Sequence, residues 1–349
     1  MKEVGKILIL IVMFWNVENF FEPFDNPGTN DNDFTPFGKY YWTWKKFEKK
    51  RDDIAKVIIS TSEQMRVVGM ESPATEPPAL IGLAEVENRF VLNQLVNETP
   101  LARLNYKIIH KDSQDERGID VALLYRASRF KLLKFNFIPD SSILSKVAGG
   151  KDADLKNFKT RWVLYAKGIV NELDTLHVLV NHWPSKLGGE QKTLRSRMLV
   201  SNVVRCFTDS ILLSQPDANI ILMGDFNDTP ESEPLKNLSG FKNCASSFLS
   251  SHNGEGTHKY NGKWEMLDQF LISQHLVYKK DVSLENCGRS RQWIFCADPG
   301  MEIFKSDFLL QEDKMFLGEK LKKTLNGPQY LGGASDHLPI LLNFFSPQL

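Results

Sequence analysis

The stretch Asn219-Ile220-Ile221-Leu222-Met223-Gly224-Asp225-Phe226-Asn227-Asp228 sets the pattern for the whole chain. An unbroken apolar run ends at a glycine, and a carboxylate and an amide follow two positions apart. Continuous apolar runs of this length belong to strands buried on both faces, because a strand with one wet face alternates apolar and polar residues. Where such a strand stops, its last side chains stand at the rim of a sheet, where polar groups can converge on a ligand. If the strand continues, Asp225 and Asn227 point the same way, since side chains repeat every second residue. Such a pair can orient a water and hydrogen-bond a phosphoryl oxygen. Gly, Asp and Asn are also ordinary turn residues, so this segment alone leaves a turn open.

The same pattern recurs. The run 7–15 stops at Asn16, the run 80–84 at Glu85, and the run 176–180 at Asn181-His182; residues 121–125, 162–170 and 338–345 read as further strands. Helices are expected between them at 44–61, 90–104 and 189–213, the last with Leu194, Met198, Val203 and Phe207 roughly at helical spacing. Strands mixed with helices argue for an α/β protein. Residues 22–41 and 72–78 read as long loops, and 281–324 as a peripheral, partly helical segment.

The chain has 349 residues, and its 43 Lys and Arg balance 43 Asp and Glu. A zero net charge argues against tight non-specific coating of nucleic acid, which relies on a basic excess to displace counterions; a local basic patch stays open. With 42% hydrophobic and 25% charged residues the composition is globular. Length alone suggests two domains at roughly 150 residues each, although large α/β and sandwich folds exceed that as one unit. The cysteines (206, 244, 287, 296) form no C-x-x-C and no zinc-type pairing, so free thiols in a reducing cytoplasm are expected. Lys2 and Lys6 before the run 7–15 imitate a secretory signal, which would make the protein secreted or periplasmic. Its nine residues fall short of the ~20 that span a bilayer, no small-residue cleavage site follows, and a buried strand is the preferred expectation.

Several further residues are candidates for chemistry. Ser335-Asp336-His337, just before the last strand, offers a hard oxygen ligand beside an imidazole that titrates near neutrality. Asp268 lies inside the apolar segment Met266-Leu267-Asp268-Gln269-Phe270-Leu271, where an acid needs a partner such as a protonated histidine. Glu85, Asn16 and His182 each have a bland alternative as a strand-end or packed residue.

In chain order these positions read Asn, Glu, His, Asp-x-Asn, Asp in an apolar strand, and Ser-Asp-His. The set Trp15-Asn16-Val17-Glu18, Leu83-Ala84-Glu85, Asn181-His182, Gly224-Asp225-Phe226-Asn227, Leu267-Asp268-Gln269 and Ser335-Asp336-His337 resembles the endonuclease/exonuclease/phosphatase superfamily. Phe34-Thr35-Pro36-Phe37-Gly38 and Arg117-Gly118-Ile119-Asp120-Val121-Ala122-Leu123-Leu124-Tyr125 look like a bacterial branch of it. The resemblance implies a single domain over 1–349: a four-layer α/β/β/α sandwich of two packed mixed β-sheets flanked by helices, with the site at one edge.

The resemblance also implies a divalent-metal-dependent phosphoester hydrolase using in-line attack of activated water. A nuclease-like phosphodiesterase is favoured over a hydrolase of small-molecule or lipid-headgroup phosphates, and a catalytically silent binding protein on the same fold is the contrasting class. Glu85 would be the main metal ligand, with Asn16 and Asp336 nearby; this all-oxygen set suits Mg²⁺, or Mn²⁺ as a substitute. Asp225 and Asn227 would position the water and the scissile phosphate, and His337 would pair with Asp268; either Asp225 or His337 would be the general base. His182 matches a phosphate-binding or general-acid histidine, with Asp120 as its expected acidic partner and Glu18 in support near the metal. Arg161, Ser185 and Arg197 are candidate phosphate contacts. Tyr41, Trp42 and Trp44 are a candidate aromatic lip, and with Phe20-Phe21 they are the candidates for a membrane-contacting finger. The expected partner is a phosphate ester, nucleic acid among the candidates, handled by a monomer without membrane insertion.

Overall fold

The computed structural model describes residues 8–64, 76–139, 141–147, 160–170, 174–277 and 295–346. Strand β1 (Leu8–Phe20) runs through the middle of a six-stranded sheet. Its side chains alternate between two apolar layers: Ile11, Met13 and Trp15 enter one buried cluster, Leu10, Val12 and Phe14 another. From Leu10 to Trp15 the apolar run is the two-sided buried strand expected; Ile7 lies outside the described residues.

The first sheet has the order β13 (Phe295–Ile303), β18 (Ile340–Ser346), β1, β2 (Leu80–Val86), β4 (Asp120–Arg126) and β3 (Tyr106–His110). The second runs β5 (Phe130–Ile138), β6 (Val163–Val170), β7 (Asp174–His182), β8 (Asn219–Asp225), β12 (Asp268–Ser273) and β9 (Phe241–Asn243). β1 pairs with β2 in parallel, and so does β7 with β8; the other neighbours are antiparallel. A parallel pair needs a crossover, which α1 (Trp44–Gln64) and α4 (Glu190–Ser214) supply.

Helices cover both outer faces. α1 and α2 (Arg89–Asn97) place Phe47, Ile54, Ile58, Val91 and Leu92 in one cluster with Ile11, Met13, Ile81 and Leu83. On the other side Val200, Val203 and Val204 of α4 pack with Leu179, Ile220 and Leu222. Between the sheets, Phe14, Leu80, Val178, Val180, Ile221 and Met223 form the central layer. Gly82 lets the sheets approach: a Cβ there would stand 2.8 Å from Met223 Cε and 3.1 Å from side chains of Phe14 and Val180. These are the four layers expected. Shorter helices α3 (Ser141–Val147), α5 (Glu233–Lys236) and α6 (Cys244–Ser251) complete the α-helices among the described residues, and α6 abuts β12 and β13.

Two expectations change. The helix expected at 90–104 ends at Asn97, and a 3-10 turn follows at Pro100–Leu104, where Thr99 Oγ1 accepts the Leu101 N–H. Proline cannot continue the helical hydrogen-bond ladder. The described part of 281–324 contains strands rather than helix: β13, then the hairpin of β14 (Leu310–Glu312) and β15 (Glu319–Leu321). With the hairpins β10 (His258–Tyr260)/β11 (Lys263–Glu265) and β16 (Leu325–Asn326)/β17 (Gln329–Tyr330), it builds an annex of short strands. No helix among the described residues is long and apolar enough to cross a membrane.

Candidate active site

Strand direction brings the polar residues to one rim. β1, β2, β7 and β8 end there, delivering Asn16 and Glu18, Glu85, His182 and Asp225; β12 begins there with Asp268, and His337 lies just before β18. In the second sheet His182 and Asp268 both stand in register with Asp225, on the strands either side of it. Four non-glycine residues here, Glu18, Asn19, Glu85 and Asn227, adopt positive φ of 48°, 55°, 62° and 50°. That backbone is costly for residues with a Cβ, so the neighbouring structure must hold it.

Asp225 is the hub. Its Oδ1 accepts the Asn227 N–H at 2.8 Å, and its Oδ2 accepts from Asn16 Nδ2 at 3.0 Å. The same Oδ2 lies 3.6 Å from His182 Nε2 and 3.9 Å from His337 Nε2. Burial pushes the Asp225 carboxyl up to about 7; His337 opposes that shift and Asp268 adds to it. His337 is tied through Nδ1 to Asp268 Oδ2 at 2.7 Å. Burial alone would lower the His337 value, but the carboxylates of Asp268 and Asp225 outweigh it and hold the imidazole well above its ordinary range. Ser335 Oγ donates to Asn16 O at 2.6 Å and accepts the His337 N–H, while Trp15 Nε1 donates to His337 O, so the loop is locked to β1. Asp225, Asp268 and His337 each offer a ligand atom within 4.8 Å of the others.

Beside this hub lies an acidic group. Glu85 Oε2 accepts the Asn19 N–H at 2.9 Å, and Oε1 faces His182 Nε2 at 3.9 Å. The Glu18 carboxylate accepts the N–H groups of Thr324 and Leu325 at 2.6 and 3.1 Å. Burial first, and the like charge of Asp336 second, push Glu18 up to about 8. Lys50 of α1 is wholly buried below them, donating to Thr324 Oγ1 and Ala334 O. Burial lowers its ammonium to about 8, against the pull of Glu18, Asp336 and Glu85. Glu18, Asp336 and Glu85 all draw on this one buried ammonium, and a rim so rich in carboxylate and amide oxygen suits a hard divalent cation.

Other expectations are corrected. Asp120 does not face His182: its Oδ2 lies 3.3 Å from His110 Nε2 and its Oδ1 accepts the Ser113 N–H, whereas His182 Nδ1 has no hydrogen-bond partner among the described residues. Antiparallel pairing sets Asp120 opposite Val86 and brings its neighbour strand's end, His110, alongside. Burial and the charge of Arg161 hold His182 well below its ordinary value, so it is a neutral hydrogen-bonding group rather than a cation. Arg161 is buried with its bonds spent on His182 O, Trp183 O and Asp115. Arg197 is wholly buried and bonds Asp228, Thr193 and Pro184 O, so both arginines brace the rim instead of reaching into it. Ser185 is half-buried nearby. Trp42 is in the core, as are Phe20 and Phe21; only Tyr41 and Trp44 of the expected lip are exposed.

His258 and Lys50 join the site without having stood out in the sequence. The His258 ring packs 4.9 Å from that of His337, centroid to centroid, and bridges to it through the backbone. Neither residue sits at the end of an apolar run or in one of the motifs that carry the resemblance.

A two-sheet sandwich with an acid, amide and histidine rim defines a class of metal-dependent hydrolases of phosphoester bonds. The chain belongs to the Endonuclease/Exonuclease/phosphatase family, whose model matches residues 11–345. Its fold is similar to that of the human Nocturnin catalytic domain with bound sulfate anion (16% identity, 98% of this chain and 97% of that one, TM-score 0.53). It is also similar to an endonuclease/exonuclease/phosphatase family protein from Bacteroides thetaiotaomicron (11%, 99% and 100%, 0.54). TDP2 from D. rerio complexed with single strand DNA product is a third (14%, 96% and 98%, 0.52). No curated protein matches by sequence.

Proposed function

We propose that the protein is a Mg²⁺- or Mn²⁺-dependent phosphodiesterase of the nuclease type, working by in-line attack of water. The observation that carries this is Asp225 Oδ2, flanked by His182 Nε2 and by the Asp268-backed His337 Nε2. A buried carboxyl pushed up to about 7 is well matched to accept a proton from water near neutral pH. The Asp268 carboxylate fixes the His337 ring and favours its cationic form, which donates to a phosphoryl oxygen as charge grows there. Neutral His182 donates or accepts at the same phosphate according to its tautomer, and Arg161 holds its backbone in place. Asn227, fixed by Nδ2 to Trp183 O, keeps the Asp225 carboxylate aimed. Glu85, Asn16 and Asp336 would hold a divalent cation, which when bound would supply Lewis-acid polarisation and charge neutralisation at the leaving oxygen.

Because the site draws on both sheets and on residues from Asn16 to His337, one domain over 1–349 is the natural unit. Free thiols at Cys206 and Cys244 support a cytoplasmic setting. The neighbour solved with single strand DNA product makes an oligonucleotide the first substrate to try. The test compares bis(p-nitrophenyl) phosphate, p-nitrophenyl phosphate and an oligonucleotide, each with Mg²⁺, Mn²⁺ or EDTA. Metal-dependent diester cleavage is expected. Cleavage of monoesters alone would replace the diesterase reading with a phosphatase, and no hydrolysis of any ester would remove the enzyme reading altogether.

A further inference from the structure

The annex of short hairpins opens directly off the catalytic pair. A groove of about 520 Å³ begins at His258 and Asp336 and runs out between β10/β11 and β14/β15. That volume lies within the range of small-molecule sites. Its walls carry Tyr260, 63% exposed, and Phe316, 44% exposed, with Asn261, Asn326, Lys320 and Lys323 around them. Lys323 makes no ion pair among the described residues.

The aromatic wall is built rather than loose. Lys259 Nζ donates to Asp313 Oδ2 at 2.9 Å, to Glu319 O at 2.9 Å and to Leu317 O at 3.3 Å. Asp313 Oδ1 in turn accepts the N–H groups of Met315 and Phe316, each at 3.2 Å. Both charged side chains are nearly buried, at 6% and 4% exposure, so the hairpin tip is pinned to β10. Phe316 lies against Gly262, φ +80°, where a Cβ would come within 2.7 Å of the ring. A fixed, half-exposed ring such as Phe316 is a stacking platform that costs little ordering on binding because it is already held, and Tyr260 stands exposed along the same groove.

We propose that this groove seats the nucleoside that flanks the scissile phosphate, its base stacked on Tyr260 and Phe316 and its next phosphate held by Lys320 and Lys323. The proposal rests on the phosphodiesterase reading for the identity of the reacting group, but its binding arm stands without it. Rings, amides and lysines line the groove beside the acids Glu312, Asp313 and Asp336, and rings set among lysines are the chemistry that holds a single-stranded polynucleotide. The outward-facing Met315 and Leu317, 79% and 83% exposed, make a lipid surface the competing occupant, which the same experiment separates.

The experiment measures fluorescence anisotropy of a short fluorescein-labelled oligothymidylate with the full chain in EDTA, where nothing turns over. Tyr260→Ala and Phe316→Ala are each expected to weaken binding about tenfold, Tyr260→Phe to retain it, and Phe135→Ala, an exposed ring on β5, to leave it unchanged. Thermal melts of each variant check folding. In catalysis with Mg²⁺, the alanine variants should lose about tenfold more kcat/KM on the oligonucleotide than on bis(p-nitrophenyl) phosphate. Oligonucleotide binding that is unaffected by both alanine variants overturns the proposal. So does co-sedimentation with phosphatidylserine vesicles that the variants abolish while oligonucleotide binding holds. If no diester is cleaved but the anisotropy losses appear, the hydrolase reading fails and the nucleotide groove stands.

Discussion

His337 Nδ1 stands 2.7 Å from Asp268 Oδ2, and Asp268 is the residue paired directly across the ladder from Asp225. One carboxylate therefore charges the imidazole while another faces its far nitrogen. Asp268→Asn removes the charge that holds His337 up and leaves the geometry nearly intact. Loss of that charge lowers the His337 value, so the cation is lost at lower pH. The alkaline limb of the kcat profile should move to lower pH, and kcat should fall roughly 10²–10⁴-fold. An alkaline limb that stays in place would detach His337 from the chemistry.

The acidic rim should bind a hard cation even without substrate. Glu85→Gln keeps the shape of the side chain and removes its charge. Mn²⁺ affinity, read by electron paramagnetic resonance on the protein alone, should fall about tenfold or more. An unchanged affinity would move the metal to another group, of which Asp225, Asp268 and His337 is the first to test.

Lys50 braces that rim from below, joining α1 to Thr324 and to the loop carrying Asp336 and His337. Lys50→Met leaves Thr324 Oγ1 and Ala334 O without this donor in a buried place. A loss of about 2 kcal/mol in urea unfolding is expected, the scale for stranding buried acceptors. A variant as stable as the wild type would mean that removing the buried charge offsets those bonds.

Acid should weaken the fold through its buried histidines. His177 is lowered from 6.5 to about 4, by burial first and by Lys167 second, and its Nδ1 lies 3.0 Å from Tyr165 Oη. Between those values the unfolded chain takes up a proton that the folded chain refuses. Stability therefore falls as pH drops from 6.5 toward 4, and is flat in this group above 6.5. His177→Gln should reduce the slope of Tm against pH in that window; an equal slope would assign it to other groups, such as His258, also lowered to about 4.

Much of this was legible before any coordinates. The runs ending at Asn16, Glu85, His182 and Asp225 became β1, β2, β7 and β8, because an apolar run cut off by polar residues is a local property. β5 was not legible: at the edge of its sheet, with Lys131 and Lys134 exposed and a bulge between Leu132 and Lys134 breaking its alternation, it lacks the apolar continuity of a central strand. The hairpins of the annex are too short to show a period at all. The Asp268–His337 pair could be expected from an acid that needed a partner, whereas the Asp120–His110 pair could not, since either of two histidines would have satisfied the same need.

By itself the sequence determined which residues lie inside, which stand at strand ends, and that these ends carry an acid, amide and histidine set in a family order. Only the tertiary structure decided who faces whom. It turned Asp120 toward His110, made Arg161 and Arg197 braces, placed Lys50 under three carboxylates, and set the Tyr260 and Phe316 groove beside His337. The reason is physical: side-chain periodicity acts over a few residues. Contacts such as Asn16 to Asp225, 209 positions apart, depend on sheet register and on how two sheets pack.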